Sequence, residues 1–153
     1  MFSGAITAMV TPFKNGKVDY DAAEKQIEFQ IKEGINGLVP CGSTGESATM
    51  SHNEHKEFIK FCIQKVNKRV PVIAGTGSNN TAEAIELTRY AEEIGADGAL
   101  LISPYYNKPT QEGLYQHYKA IADNVKSLPI LIYNVPGRTS KNVEASTVEK
   151  LST

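Results

Sequence analysis

The chain has 153 residues, 41% hydrophobic and 22% charged, with a formal net charge of -1. This is the profile of a soluble globular domain with enough apolar material for one sizeable core. Acids and bases are interspersed, so no basic footprint for nucleic acid or an anionic membrane is present, and the two cysteines, Cys41 and Cys62, are too few for a disulfide framework. No charged-then-apolar leader or long apolar span opens the chain, and a reducing cytoplasm is the expected setting.

Apolar runs that read as strands begin near Ile6, Leu38, Val72, Ala99 and Ile130, separated by roughly thirty residues, as βα units require. Helical spacing fills each gap. Ala23, Ile27 and Ile31 share one face, as do Phe58, Cys62 and Val66, then Ala84, Leu87, Ala91 and Ile94, then Leu114, Tyr118, Ile121 and Val125. Ser51 with Glu54 and Asn80 with Glu83 have capping-box spacing, and Thr110 precedes Gln111 and Glu112 in a first turn. Gly34 and Gly95 are matching stops. Val143 to Leu151 reads as a further helix beginning, with no sixth strand after it, which suggests a fragment.

Strands as apolar as Leu100-Leu101-Ile102 and Ile130-Leu131-Ile132 suit a parallel sheet covered by helices. The class is therefore α/β, and periodicity alone leaves open a doubly wound sheet or part of an eight-stranded barrel. Gly75-Thr76-Gly77 contains Gly-x-Gly but lacks the third glycine of a dinucleotide loop, and a tight turn before a helix cap explains it better.

Three segments place polar groups where strands should stop. In Val39-Pro40-Cys41-Gly42-Ser43-Thr44-Gly45-Glu46-Ser47, Gly42 and Gly45 allow close backbone approach, so amides and the hydroxyls of Ser43 and Thr44 can hold a carboxylate. The bland alternative is a turn or cap. Tyr133 in Tyr133-Asn134-Val135-Pro136-Gly137-Arg138-Thr139 is either a buried structural phenol or a proton carrier, and Arg138 suits a carboxylate. Tyr105 and Tyr106 in Ser103-Pro104-Tyr105-Tyr106-Asn107 carry the same ambiguity, with at least one expected to serve packing. No Ser-His-Asp arrangement is evident. His52 and His55 lack zinc-protease spacing, so no metal is expected; Cys41 and Cys62 read as small buried hydrophobes, and His117 as a helix-surface residue.

Together, Gly42-Ser43-Thr44-Gly45-Glu46, Gly75-Thr76-Gly77, Pro104-Tyr105-Tyr106-Asn107 and Tyr133 to Thr139 resemble the dihydrodipicolinate synthase family along the entire chain. The resemblance implies the amino-terminal part, about the first five βα units, of a single (β/α)8 barrel domain covering residues 1–153. It implies lysine and diaminopimelate biosynthesis without an added cofactor. A lysine forms a Schiff base with pyruvate, whose enamine attacks L-aspartate 4-semialdehyde to give 4-hydroxy-tetrahydrodipicolinate.

Carried over by motif, Thr44 binds the pyruvate carboxylate, Tyr133 transfers protons with Ser43 and Tyr106 completing the relay, and Arg138 binds carboxylate at the entrance. Ser43 stands where many members have threonine. Tyr106 is implied to cross a tight dimer interface in a homodimer or homotetramer. Ser47, Ala48, His52, His55, Asn79, Glu83 and Tyr105 match positions that bind L-lysine in feedback-inhibited members; for His52 and His55 a plain helix-surface position is the alternative.

The Schiff-base lysine of the family lies on the sixth strand, beyond Thr153, and Lys108 and Lys141 read as solvent-facing charges. The chain alone is therefore expected to be inactive and, with apolar strand edges uncovered, to associate. Two alternatives stand beside this reading: another pyruvate-dependent aldolase acting on sialic or sugar acids, and a noncatalytic half-barrel.

Overall fold

The structure, a computed structural model, describes residues 2–152. Strand β1 (Ile6–Ala8) is followed by a small antiparallel hairpin, β2 (Phe13–Lys14) and β3 (Lys17–Val18). The chain then alternates: α1 (Tyr20–Lys32), β4 (Gly37–Val39), α2 (His52–Val66), β5 (Ile73–Gly75), α3 (Thr81–Glu93), β6 (Gly98–Ile102), α4 (Gln111–Ala122) and β7 (Ile130–Tyr133). Two short helices close it, α5 (Pro136–Thr139) and α6 (Ala145–Leu151).

The strand positions agree with the apolar runs. The hairpin and α5 are additions to the expected elements.

Helix boundaries follow the capping chemistry. The Ser51 hydroxyl accepts the Glu54 amide while the Glu54 carboxylate accepts the Ser51 amide, a complete capping box. At α3 the box stays open: Asn80 accepts the Ala82 amide, and Glu83 is used elsewhere. The Thr110 hydroxyl accepts from Gly113. Gly34 and Gly95, both at φ +85, turn the chain out of α1 and α3, a backbone region that costs glycine little.

Parallel pairing joins β1 to β4, β5 to β6 and β6 to β7. Between β4 and β5 the ladder narrows to a bridge, Leu38 with Val72, reinforced by Leu38 N–H donating to Pro71 O at 3.0 Å and Gly75 N–H to Pro40 O at 2.9 Å. The order β1-β4-β5-β6-β7 never reverses, whereas a doubly wound sheet reverses at its switch point. The strands therefore form an arc of a barrel wall.

Strand period two sorts the side chains. Ala99 and Leu101 of β6 face the helix layer and are fully buried, while Leu100 and Ile102 face the inside of the arc. One core joins Ala23 and Ile27 of α1 with Phe58, Ile59 and Cys62 of α2 beneath Leu38, Val72 and Ala74. A second joins Leu101 with Leu114, Tyr118 and Ile121 of α4, Ala84 and Val143. All four residues of β7 are only half-buried, because nothing pairs beyond it among the described residues.

His117 departs from the surface position expected for it. It lies on the buried face of α4, 5% exposed, with Nδ1 2.9 Å from Thr81 Oγ1 and Nε2 buried without a partner. Burial lowers its pKa to about 4. The folded value lies below the ordinary 6.5, so the unfolded chain binds the extra proton first as pH falls. The corresponding stability is present in full above pH ~6.5 and is lost as pH drops through about 4. Replacing His117 by leucine is expected to flatten the fall between those limits by on the order of 2 kcal/mol, less than the whole shift because local relaxation around the charged ring recovers part of the cost. Urea midpoints of both chains at pH 7 and pH 4.5 check this; parallel losses would remove His117 as the cause.

Candidate active site

The carboxyl ends of β4, β5, β6 and β7 surround a cavity of about 230 Å³, and the groups predicted from sequence largely meet there. Ser43, Ser47 and Ala48 come from the segment after β4, Tyr105 from that after β6, Tyr133 from the end of β7 and Arg138 from α5. Leu100 and Ile102 supply an apolar side wall that the motifs did not announce.

The segment after β4 is folded tightly. Gly45 N–H donates to Gly42 O at 3.0 Å and Glu46 N–H to Ser43 O at 3.2 Å, while Thr11 Oγ1 donates to Gly45 O at 2.7 Å. Cys41 and Glu46 both have φ +56, a left-handed conformation that costs a residue with a Cβ on the order of 1 kcal/mol or more. Among the described residues, no protein group takes the amides or hydroxyls of Ser43 and Thr44. Ser43 thus has a free amide and a free hydroxyl at the cavity wall, and Thr44, next in the chain but outside the lining, has two more unpaired donors.

The floor depends on close backbone approach. A Cβ on Gly75 would stand 2.2 Å from Cys41 O, and one on Gly77 would stand 2.5 Å from Ile102 N. Gly75-Thr76-Gly77 is therefore a packing element of the cavity floor.

Tyr133 pairs in register with Ile102, and its carbonyl accepts the Ser103 amide at 3.4 Å. Behind them, the buried Tyr118 hydroxyl donates to Ser103 Oγ at 3.0 Å, anchoring this strand end to α4. Arg138 is exposed at the cavity edge, and its guanidinium has no carboxylate partner among the described residues.

Two site residues do not join them. Thr44 is exposed outside the cavity lining, so its side chain is turned from the position expected for it. Tyr106 is 90% exposed, at φ +75. Its loop is nonetheless fixed: Asn79 Nδ2 donates to Tyr105 O at 3.0 Å, and Asn107 Nδ2 donates back to Asn79 O at 3.1 Å.

Of the residues matched to an L-lysine site, Asn79 braces the Tyr105 loop as above, and the other six divide into three parts. Ser47, Ala48 and Tyr105 share the cavity wall just described. His52 Nε2 lies 3.3 Å from Glu83 Oε1, and the other oxygen of Glu83 accepts from Ser78 Oγ at 2.7 Å. Ser78 was not signalled by any motif; its place two residues before the Asn80 cap is the only local hint.

His55 is buried, against the helix-surface alternative, and its Nε2 lies 2.7 Å from Gly75 O. Burial, aided by the nearby His52, lowers the His55 pKa and keeps the ring neutral.

Burial also raises the Cys41 and Cys62 thiols, which suits inert core residues. Among the described residues no lysine lines the cavity. Lys108 is exposed as expected, whereas Lys141 is half-buried, a departure from its expected solvent-facing position.

A sequential parallel arc with polar groups gathered at its carboxyl ends is the organisation of (β/α)8-barrel proteins. Relatives narrow the class. The Dihydrodipicolinate synthetase family profile matches residues 1–153, and the chain belongs to that family. The 4-hydroxy-tetrahydrodipicolinate synthase of Nitratidesulfovibrio vulgaris (strain DP4) is 62% identical over 151 residues, 99% of this chain and 51% of the relative.

Two solved structures are similarly close. The chloride-inhibited dihydrodipicolinate synthase of Acinetobacter baumannii complexed with pyruvate gives TM-score 0.96 at 54% identity, covering 99% of this chain and 52% of that one. The Cyanidioschyzon merolae enzyme with lysine bound gives TM-score 0.95 at 44% identity, covering 99% and 52%. The chain thus spans about half the length of the curated relatives it matches. The fold comprises about the first five βα units of an incomplete (β/α)8 barrel.

No helix among the described residues is long and apolar enough to cross a membrane, and none of their His, Cys, Asp and Glu side chains gather in threes to hold a metal.

Proposed function

We propose that residues 1–153 are the amino-terminal part of one barrel domain of a cytoplasmic 4-hydroxy-tetrahydrodipicolinate synthase, a lyase of lysine and diaminopimelate biosynthesis. The carrying observation is a cavity that presents the free Ser43 amide and hydroxyl, the Tyr133 phenol and the Arg138 guanidinium, with the unpaired Thr44 next in the chain, yet has no lysine on its wall. Such a cavity is equipped to receive carboxylates and move protons, and takes its nucleophile from outside the described residues.

The pyruvate carboxylate accepts hydrogen bonds from the amides of the Ser43-Thr44 segment and the Ser43 hydroxyl, and the Thr44 hydroxyl joins them once its side chain turns toward the cavity. A lysine amine from the remaining part of the barrel attacks the ketone, and loss of water gives the imine. Tyr133 hands protons to and from the reacting oxygen, relayed through Ser43 and Tyr106, and deprotonation at the methyl carbon gives an enamine that attacks the aldehyde of L-aspartate 4-semialdehyde. Arg138 receives that substrate's carboxylate at the cavity edge. The exposed Tyr106 ring, on a strained but fixed loop, is suited to entering a neighbouring subunit of a homodimer or homotetramer.

L-Lysine is the proposed feedback ligand, held by Ser47, Ala48, His52, His55, Asn79, Glu83 and Tyr105. The lysine-bound relative supports this assignment, and Glu83 beside His52 supplies an acceptor for an ammonium group. The related sialic-acid and sugar-acid aldolases are the second reading; Arg138 favours a substrate with a carboxylate at the entrance.

Pyruvate titration of the isotopically labelled chain tests the carboxylate site. Amide shifts concentrated at residues 42–46 are expected, and they should disappear when Ser43 and Thr44 are both replaced by alanine. Shifts scattered over the surface, or none at saturating pyruvate, would overturn the assignment.

A further inference from the structure

We infer that His55 is a positioning residue for the hydroxyl-bearing segment after β4, acting through Gly75 and Cys41. The inference rests on the proposal that this segment receives a substrate carboxylate. It gives His55 a role in holding the cavity floor, apart from any contact with an effector.

Three links meet at this residue. A carbonyl can only accept, so the 2.7 Å contact from His55 Nε2 to Gly75 O fixes the proton on Nε2. The backbone carbonyl of His55 accepts from Cys41 Sγ at 3.8 Å, so the same residue grips the end of β5 with its ring and the end of β4 with its main chain. Gly75 N–H closes the triangle by donating to Pro40 O at 2.9 Å.

Gly75 also presses against the Cys41-Gly42 peptide so closely that no Cβ fits between them. That peptide leads directly into Ser43, and Cys41 is held in the left-handed region that an ordinary residue leaves when released. A neutral imidazole, 5% exposed and wedged between two strand ends, is thus the fixed point against which the loop is folded.

The test compares His55→Leu with His55→Gln in the 153-residue chain. A glutamine amide keeps an N–H donor near the position of Nε2, whereas leucine keeps only bulk. Hydrogen exchange is followed by mass spectrometry in peptides covering residues 41–46 and in peptides from α3 and α4, and pyruvate affinity is measured on the same samples. Leucine is expected to speed exchange of the Gly45 and Glu46 amides and to weaken pyruvate binding by about tenfold each, the effect of losing one buried hydrogen bond. Glutamine should restore both to within about twofold, with α3 and α4 unchanged.

Unchanged exchange in the leucine variant would overturn the inference. So would equal loss in both variants, which means packing alone, or uniform acceleration across the chain, which means general stability. Absence of pyruvate binding in the unsubstituted chain would instead remove the carboxylate assignment, while the exchange measurements still decide the positioning role.

Discussion

Replacing Gly75 by alanine is expected to cost about 4 kcal/mol or more and to abolish pyruvate-induced shifts at the Ser43 segment. The added carbon would stand 2.2 Å from Cys41 O, 2.5 Å from Cys41 C and 2.7 Å from Gly42 N, all backbone atoms with no flexible end to move aside. Relief requires β5 to separate from the end of β4. That movement breaks the Gly75 N–H bond to Pro40 O and displaces the His55 contact, so stability and loop geometry fail together. Gly137→Ala is the control, because nothing lies within 4 Å of its added carbon and alanine favours the short helix it occupies. Chemical denaturation of the two variants checks the contrast; similar midpoints would show that the floor is more compliant than its contacts imply.

The second large effect concerns Tyr133, and it requires the rest of the barrel. In a single chain joining residues 1–153 to the carboxyl-terminal half of a close relative, Tyr133→Phe is expected to lower kcat by roughly 100- to 10,000-fold, the usual contribution of a positioned proton carrier. Phenylalanine keeps the ring in the half-buried place that Tyr133 occupies at the end of β7, so the fold and the apparent affinity for pyruvate should change little. Steady-state kinetics separate the two parameters. A rise in KM with kcat preserved would make the phenol a binding group and remove it from proton transfer.

Much of this arrangement is legible in residue spacing. Ala23, Ile27 and Ile31, or Leu114, Tyr118 and Ile121, mark buried helix faces because three- and four-residue steps return to one side of a helix. The same rule places His117, three residues after Leu114 and four before Ile121, on the buried face of α4; residue type alone points to the surface, and position prevails. Asn15-Gly16, with φ +52 and +74, carries a hairpin-turn signal, but the paired strands are too short to show alternation. Ser43, Tyr133 and Arg138 are legible because strands that follow one another deliver their carboxyl ends to one place.

Side-chain direction in the loops was less accessible. Thr44 and Tyr106 turn outward in segments set by left-handed residues, Cys41 and Glu46 at φ +56 around the first and Tyr106 itself at φ +75 with Lys108 at φ +47 in the second, which no periodicity encodes. The roles of His55 and Ser78 are similarly hidden, because each contact spans separate elements: the His55 ring meets Gly75 O from twenty residues away, and Ser78 steadies a carboxylate on the next helix. Conversely, Glu83 has the spacing to complete a helix cap, yet Ser78 and His52 take its two oxygens. Local pattern describes the candidate; tertiary competition decides its use.

On the proposed function, residues 1–153 carry the carboxylate-binding and proton-transfer groups of a pyruvate-dependent synthase, and the Schiff-base lysine lies outside them. Borohydride reduction of the joined chain in the presence of pyruvate, followed by intact mass and peptide mapping, tests this most directly, since reduction makes the imine permanent. One adduct is predicted, on a lysine in the added half, with every lysine of residues 1–153 unmodified and with lower yield when Ser43 and Thr44 are both alanine. A specific adduct on any lysine of residues 1–153, or a folded joined chain that forms none, would contradict the account.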